Sequence, residues 1–439
     1  MVEEAKTKAF YIFNKAISSV NPFMAVKAQG EALISFYHLK NIKRVFVIGF
    51  GKACLEMAMA INESLGKIID KGIIITKYNH AKGITSIDKI KVFEAAHPIP
   101  DESGVVAMKK IIELLKEADN STLVICLISG GGSALLVSPM EPIKLEEKQI
   151  TTKLLLEAGA NINDVNTVRK HISSVKGGRL AQLTYPAYIK SLILSDVIGD
   201  RLDVIASGPT TFDTTTYYDA IEVLKRFKLL DNIPKSVIEV LNRGKNGEIG
   251  ETLKKDDYIL ANTENIIIGS NKIALEQAKK KAIELGFHTE IITTDIEGEA
   301  KEIGKWLSDI AKTYKKKKQK NEIEKPICLL SGGETTVTVT GCGKGGRNTE
   351  LALAFAIEIE GIDGIFLLSV GTDGTDGPTD AAGAYATGDT VIKAKRLGLM
   401  PEEYLKNNDS YNFFKKIDDL IITGPTGTNV MDIQIIFIY

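Results

Sequence analysis

The chain reads as an α/β protein: an N-terminal doubly wound, Rossmann-like parallel-sheet domain followed by a second, mixed α/β domain. Short β-rich apolar runs alternate with longer segments of helical period through the first half, the pattern of a parallel sheet covered on both faces. The alternation breaks at the polar stretch 243–248, with Lys254-Lys255-Asp256-Asp257 soon after, and then restarts. A length of 439 residues is enough for two cores. The expected domains are therefore 1–245 and 246–439, with the final strand free to return to the first.

In chain order, Ala5, Ala9, Phe10, Phe13, Ala16 and Ile17 recur at helical spacing, which fits an amphipathic helix rather than a signal peptide. Strands are expected at 44–48, 72–76, 91–96, 123–129 and 191–197, with helices at 103–118, led by Pro100-Asp101, and 146–158. After the boundary the pattern gives a strand at 266–270, a helix at 272–285, a strand at 289–294, a helix at 299–314 and a strand at 327–331. The β-branched run 335–340 follows Gly332-Gly333 closely and predicts an antiparallel hairpin. The basic run 315–320 reads as a solvated connector after the preceding helix.

Lys plus Arg (55) nearly balance Asp plus Glu (56), so no net field draws nucleic acid or an anionic membrane. No apolar stretch approaches the length of a membrane span. Cys54, Cys126, Cys328 and Cys342 are far apart and lack zinc-ligand spacing, which fits reduced thiols in a cytoplasmic protein.

The glycines are clustered at strand ends, and there the chemistry concentrates. Ser129-Gly130-Gly131-Gly132-Ser133 follows the apolar run 123–128 and opens a helix, a place where backbone amides converge on an anion. Ser331-Gly332-Gly333-Glu334 and Gly345-Gly346-Arg347-Asn348 read as two more such turns, which suggests a polyphosphate or two charged ligands. Lys52, in Gly49-Phe50-Gly51-Lys52-Ala53, stands at a βα turn where it could meet a phosphoryl group or a carboxylate. The following strand ends Thr76-Lys77-Tyr78, with no acid to hold a ribose hydroxyl. His97 lies at a strand end between catalysis and simple loop rigidity. Arg169 could clamp a phosphate or face solvent, and Lys176-Gly177-Gly178-Arg179 is equally ambiguous. Asp196 and Asp373 sit on glycine-rich turns after apolar runs, a setting that suits Mg²⁺ shared with phosphates or a base for a hydroxyl proton. No Walker A loop, protein-kinase triplet or G-x-S-x-G elbow is present.

These motifs in sequence resemble the glycerate kinases of the MOFRL type. The resemblance is carried by Gly49–Ala53, His97-Pro98-Ile99-Pro100-Asp101, the run 129–136, Asn166 to Ser173, 176–181, 195–200, 205–210, 331–334, 345–348 and 372–383, and it runs from about residue 40 to Asn429. It implies ATP-dependent phosphorylation of D-glycerate, most often at the 2-hydroxyl, with Mg²⁺ or another divalent cation, in a cytoplasmic two-domain enzyme whose active site lies in the cleft between the domains. A homodimer is left open. The family's catalytic lysine and arginine fall on Lys52 and Arg347. Substrate or phosphate contacts are expected at Ser129, Gly130, Gly131, Gly132, Ser133, Asn166, Arg169 and Lys176, the loop holding either phosphates or the glycerate carboxylate, and nucleotide contacts at Gly332, Gly333, Glu334 and Asn348. The chain departs from the family at Thr349, where glutamine is expected.

In phosphoryl transfer a protein mainly positions groups and neutralises charge. Lys52 and Arg347 would do so here, and Asp196 or Asp373 would hold Mg²⁺ or take the hydroxyl proton. Two rival readings are a hydroxypyruvate reductase, which the missing ribose-binding acid opposes, and a non-catalytic sugar-phosphate sensor, which would need only one anion site.

Overall fold

The computed structural model describes residues 2–439. Its strands are β1 (Arg44–Phe50), β2 (Lys71–Lys77), β3 (Ser86–Ile87), β4 (Ile90–Ala95), β5 (Thr122–Ile128), β6 (Tyr188–Leu194), β7 (Thr263–Gly269), β8 (His288–Glu299), β9 (Ile327–Thr336), β10 (Ile365–Gly371), β11 (Gly383–Thr387), β12 (Leu420–Ile421) and β13 (Asp432–Ile438). They form a seven-stranded sheet in the order β3-β4-β2-β1-β5-β6-β7 and a six-stranded sheet in the order β12-β11-β10-β13-β9-β8.

Two compact units result. The first comprises Pro22–Ser195 and Asp200–Ile268, the second Met1–Asn21, Asp196–Gly199 and Gly269–Tyr439. Position 245, where composition suggested a boundary, ends the helix Lys235–Lys245 inside the first unit. The chain beyond it still serves that unit: β7 neighbours β6, and the Asp213 amide donates to the Leu253 carbonyl at 2.8 Å.

In the first unit β4, β2, β1, β5 and β6 run parallel. Every residue of β5 is buried, as an apolar strand with both faces covered requires. Its helices start as the sequence suggests: Asp101 caps Glu102–Leu115 by accepting from the Gly104 amide at 3.1 Å.

The second unit is mixed. β9 pairs parallel with β8 and antiparallel with β13. The last strand therefore lies between β9 and β10 in this unit, fully buried, and does not return to the first sheet. The hairpin expected at 335–340 does not form. β9 runs straight through Gly332 and Gly333 to Thr336, and residues 337–340 carry no regular structure. The two glycines serve close packing instead of a turn. A Cβ on Gly332 would lie 2.1 Å from Asn271 Oδ1, and one on Gly333, at φ +143°, 2.4 Å from the Ile296 backbone. The basic run also differs from expectation, since the helix Ala300–Gln319 continues through most of it.

The N-terminal helix Val2–Ser19 buries Ala5, Ala9, Ile12, Phe13 and Ala16. It belongs to the second unit, where Lys6 donates to Asp419 at 2.9 Å and the Val20 carbonyl accepts from the Thr428 hydroxyl at 2.9 Å.

Gly51 fixes the turn after β1. At φ +145°, a Cβ there would sit 2.1 Å from Ser129 Oγ. Gly51→Ala should therefore destabilise the protein by about 2 kcal/mol or more, combining steric overlap with a backbone angle that L-residues avoid. Gly250→Ala, with nothing within 4 Å of the added methyl, should change stability by under ~0.5 kcal/mol. Thermal unfolding of the two variants checks the contrast.

Candidate functional site

The first unit builds its site where β1 and β5 end side by side. The pairing Phe50↔Ile128 leads directly into two turns, and the Lys52 amide donates to the Gly130 carbonyl at 2.9 Å. Ser129 Oγ accepts from the Ala53 amide at 3.1 Å, which ties the second turn to the first. Gly131 adopts φ +80°, and a Cβ at this position would meet the His97 ring at 2.9 Å and Lys52 Cε at 3.3 Å. Lys52 and His97 thus lie over the bare backbone of the glycine loop. Burial, then the charges of Lys52, Lys77 and His80, hold the His97 imidazole down at about 4, so it is neutral at physiological pH.

Behind the loop, Lys176 is fully buried. Its ammonium donates to the Ser133 carbonyl at 2.8 Å, to Ser133 Oγ at 3.0 Å and to the Ala206 carbonyl at 3.4 Å. Ser133 Oγ and Ser207 Oγ are 2.9 Å apart, and the Ser207 hydroxyl donates to Asn166 Oδ1 at 3.2 Å. Ala206 and Ser207 hold positive φ of 50° and 63° in succession. Two adjacent left-handed non-glycine residues cost about 1–2 kcal/mol each, a strain that persists only where surrounding contacts over-determine it. The structure thus brings Lys52, the 129–133 loop, Asn166 and Lys176 into one connected assembly.

The two other turns expected to take anions behave differently. Ser331–Glu334 is strand, as described above. Gly345-Gly346 does open the helix Arg347–Glu358, but its first amides are already taken. Asp376, buried in the same unit, accepts from the Asn348 amide at 2.8 Å, the Thr349 amide at 2.9 Å and the Thr349 hydroxyl at 2.8 Å. An internal carboxylate occupies the anion position of this helix. Thr349, the departure from the family pattern, spends its hydroxyl on that cap and on Ser410 Oγ at 2.9 Å.

Arg347 is held by two carboxylates. Nε and Nη2 donate to Asp432 at 2.6 and 2.9 Å, and Nη1 donates to Glu334 at 2.6 Å. Burial disfavours the guanidinium charge, but these carboxylates outweigh it and keep Arg347 above its ordinary range. Burial pushes Asp432 up to about 6 against the pull of Arg347, which leaves it ionised at neutral pH. Asp432 was not legible as a site residue, because it begins the apolar strand β13 and its partner is 85 positions away. Beside it, Asn271 Nδ2 donates to the Val430 and Asp432 carbonyls at 2.9 and 2.8 Å. Asn348 accepts from the Ser369 hydroxyl at 2.8 Å, and its side chain helps hold the Asp432 carboxyl down against burial.

The two candidate metal carboxylates both belong to the second unit. Asp373 Oδ1 accepts from the Thr375 amide and hydroxyl, both at 2.9 Å, and among the described residues its Oδ2 has no hydrogen-bond donor. Asp196 follows β6 in the chain and is half-buried. Among the described residues no group of three or more His, Cys, Asp or Glu side chains could cage a metal ion. Mg²⁺ held mainly by phosphates needs only one or two such oxygens, and the open Oδ2 of Asp373 fits that demand. A groove of about 800 Å³ in the first unit, lined by Met140, Glu141, Lys144 and Arg243 among others, includes none of the loop residues. No helix among the described residues is long and apolar enough to cross a membrane.

Residues 8–242 match a family described as a domain of unknown function, DUF4147, and residues 327–432 match the MOFRL family. A D-glycerate 2-kinase of Thermotoga maritima is 46% identical over 99% of this chain and 98% of its own length. A protein of Agrobacterium vitis whose name proposes a hydroxypyruvate reductase is 38% identical over 97% of this chain and 93% of its own. The crystal structure of a glycerate kinase from Thermotoga maritima is similar with a TM-score of 0.90, at 46% identity and full coverage of both chains.

The geometry around Arg347 separates a buried ion pair from an exposed one. Asp432 is 1% exposed and Glu334 46%. Asp432→Asn should cost about 1–3 kcal/mol, because it takes the charged acceptor from two guanidinium N–H groups and leaves Glu334 as the remaining carboxylate, whereas Glu334→Gln should cost under ~1 kcal/mol. Urea unfolding of both variants measures the difference.

Proposed function

The chain belongs to the MOFRL-type glycerate kinases, and from that premise we propose that it transfers the γ-phosphoryl group of ATP to D-glycerate, at the 2-hydroxyl, releasing ADP. The observation that carries this reading is the open glycine loop 129–133 beneath Lys52, a cation with no carboxylate partner among the described residues. An anion is what such a loop lacks.

In the reaction the glycerate hydroxyl oxygen attacks the γ-phosphorus, the bond to the β,γ-bridging oxygen breaks, and the hydroxyl proton passes to a carboxylate, Asp196 or Asp373. Lys52 neutralises charge that gathers on the phosphoryl oxygens. Arg347 serves the same transfer with the two N–H groups that Asp432 and Glu334 leave free, its plane fixed by the bidentate contact to Asp432. Glu334 and Asn348 are proposed to meet the nucleotide, while the faces of Gly332 and Gly333 are filled by Asn271 and the Ile296 backbone. Whichever of Asp373 and Asp196 does not take the proton would hold Mg²⁺, which would supply further neutralisation of phosphate charge. The unpaired cysteines support a cytoplasmic enzyme.

A reductase acting on hydroxypyruvate would handle the same carbon skeleton. β2 ends at Lys77, without the acid that holds an NAD ribose, which favours the kinase. Incubation with ATP, Mg²⁺ and D-glycerate, read by ³¹P NMR, should give ADP and 2-phosphoglycerate. A 3-phosphoglycerate signal would move the acceptor, and NADH oxidation by hydroxypyruvate without ADP formation would replace the reading altogether.

Two variants test the roles. Lys52→Ala should lower kcat by roughly 10² or more with little change in folding, the loss typical of one preorganised electrostatic group. Arg347→Ala should lose at least ~10² in kcat, with kcat/KM falling alongside, and Arg347→Lys should recover little because a point charge cannot copy the planar fork. An unchanged kcat with only a raised glycerate KM would move Arg347 to substrate binding.

A further inference from the structure

His97 shares the space over the glycine loop with Lys52. Its Cδ2 lies 2.9 Å, its Nε2 3.0 Å and the Lys52 Cε 3.3 Å from the point where a Cβ on Gly131 would stand, so ring, lysine stem and bare backbone border one small volume. The ring is half-buried, and among the described residues neither of its nitrogens has a hydrogen-bond partner. The segment that carries it is anchored on both sides. The Ala95 carbonyl, at the end of β4, accepts from the Tyr78 amide at 3.1 Å, and Asp101 Oδ1 accepts from the Ala96 and Gly104 amides at 3.2 and 3.1 Å. The Pro100 carbonyl accepts from the Gln149 side chain at 2.7 Å, and the prolines at 98 and 100 fix two further backbone angles. A polar side chain fixed in direction, yet with no partner in the chain, is the kind of group that orients a ligand in a pocket.

The charge of the surroundings decides which group the ring can face. Burial, then the charges of Lys52, Lys77 and His80, keep the imidazole neutral, so it offers one N–H donor and one lone pair. An anion would be served better by a protonated ring, which these neighbours oppose, and Lys52 already stands beside the same point for it. A hydroxyl, which both donates and accepts, matches a neutral imidazole in either sense. D-Glycerate carries three polar groups. Its carboxylate is an anion, and its 2-hydroxyl attacks phosphorus and gives up its proton. The 3-hydroxyl alone stays neutral throughout and calls for a neutral partner.

We propose that His97, through Nε2 over Gly131, binds the 3-hydroxyl of D-glycerate and so selects a 2,3-dihydroxy acid over a 2-hydroxy acid that lacks this group. The inference rests on the D-glycerate 2-kinase reading and deepens it. A contact at the 3-hydroxyl fixes which way round the three-carbon chain lies, and it leaves the 2-hydroxyl to meet the phosphoryl group.

Steady-state kinetics with D-glycerate and with D-lactate, which lacks only the 3-hydroxyl, test the assignment in wild type, His97→Phe, His97→Ala and His97→Gln. Thermal unfolding checks that each variant folds, and His97→Phe keeps a ring over Gly131 without its nitrogens. Wild type should prefer D-glycerate over D-lactate by about 10-fold or more in kcat/KM, since a site built for a hydroxyl rejects the analogue without it. In His97→Phe and His97→Ala the preference should fall to about 3-fold or less, chiefly through a raised KM for D-glycerate, with KM for ATP within about 2-fold of wild type. His97→Gln, whose amide both donates and accepts, should recover part of the preference. A preference that survives in His97→Phe and His97→Ala overturns the proposal and leaves the kinase reading intact. An equal loss on both acids gives His97 to a group they share, the carboxylate or the 2-hydroxyl, and overturns it as well. A wild type that phosphorylates neither acid removes the kinase reading and the assignment together.

Discussion

One hydrogen bond, from the Lys52 amide to the Gly130 carbonyl, sets what the first unit can do. It is the continuation, past the strand ends, of the parallel ladder between β1 and β5. Because that ladder is locked by buried side chains on both faces, the two turns that follow it have no freedom to separate. Gly51 lets the first turn pass within contact of Ser129, and Gly131 leaves its own surface bare for the side chain of Lys52. Register in the sheet thereby becomes position at the site, which is how a parallel α/β fold places ligands at the carboxyl ends of its strands.

The two units handle charge in opposite ways. In the first, Lys52 and Lys176 bear on one loop, and neither pairs with an acid among the described residues. In the second, Arg347 is matched by Asp432 and Glu334, and a third acid, Asp376, caps the helix that carries it. Arg347 is therefore oriented more than it is available, and its remaining donors point where the Asp432 contact dictates. Orientation of this kind lowers the cost of organising a charged group at the moment of reaction.

Local signals were legible in the sequence and long-range ones were not. The parallel strands and the glycine loop at 129–133 showed themselves because periodicity and turn chemistry act within a few residues. Gly332-Gly333 misled for the same reason: two glycines after an apolar run resemble a turn, but here they accommodate Asn271 and the backbone of Ile296, neighbours that no local pattern reveals. Asp432 looked like the edge of an apolar strand. Asp376 stood in a run of acidic turns, and only the fold shows that it spends its oxygens on the backbone of Asn348 and Thr349. A charge acquires its meaning from partners far along the chain.

The N-terminal helix adds a constraint of order in time. Val2–Ser19 is made before either sheet, yet the surface that covers Ala9, Ile12 and Phe13 belongs to a unit whose main segment starts at Gly269. Its Lys6 waits for Asp419, and the carbonyl of Val20 for Thr428. On the ribosome the whole first unit, interrupted by Asp196–Gly199, emerges in between and can fold in the meantime. Val2–Ser19 thus waits through the synthesis of the whole first unit before it can dock, and the second unit closes only once β13 has been made.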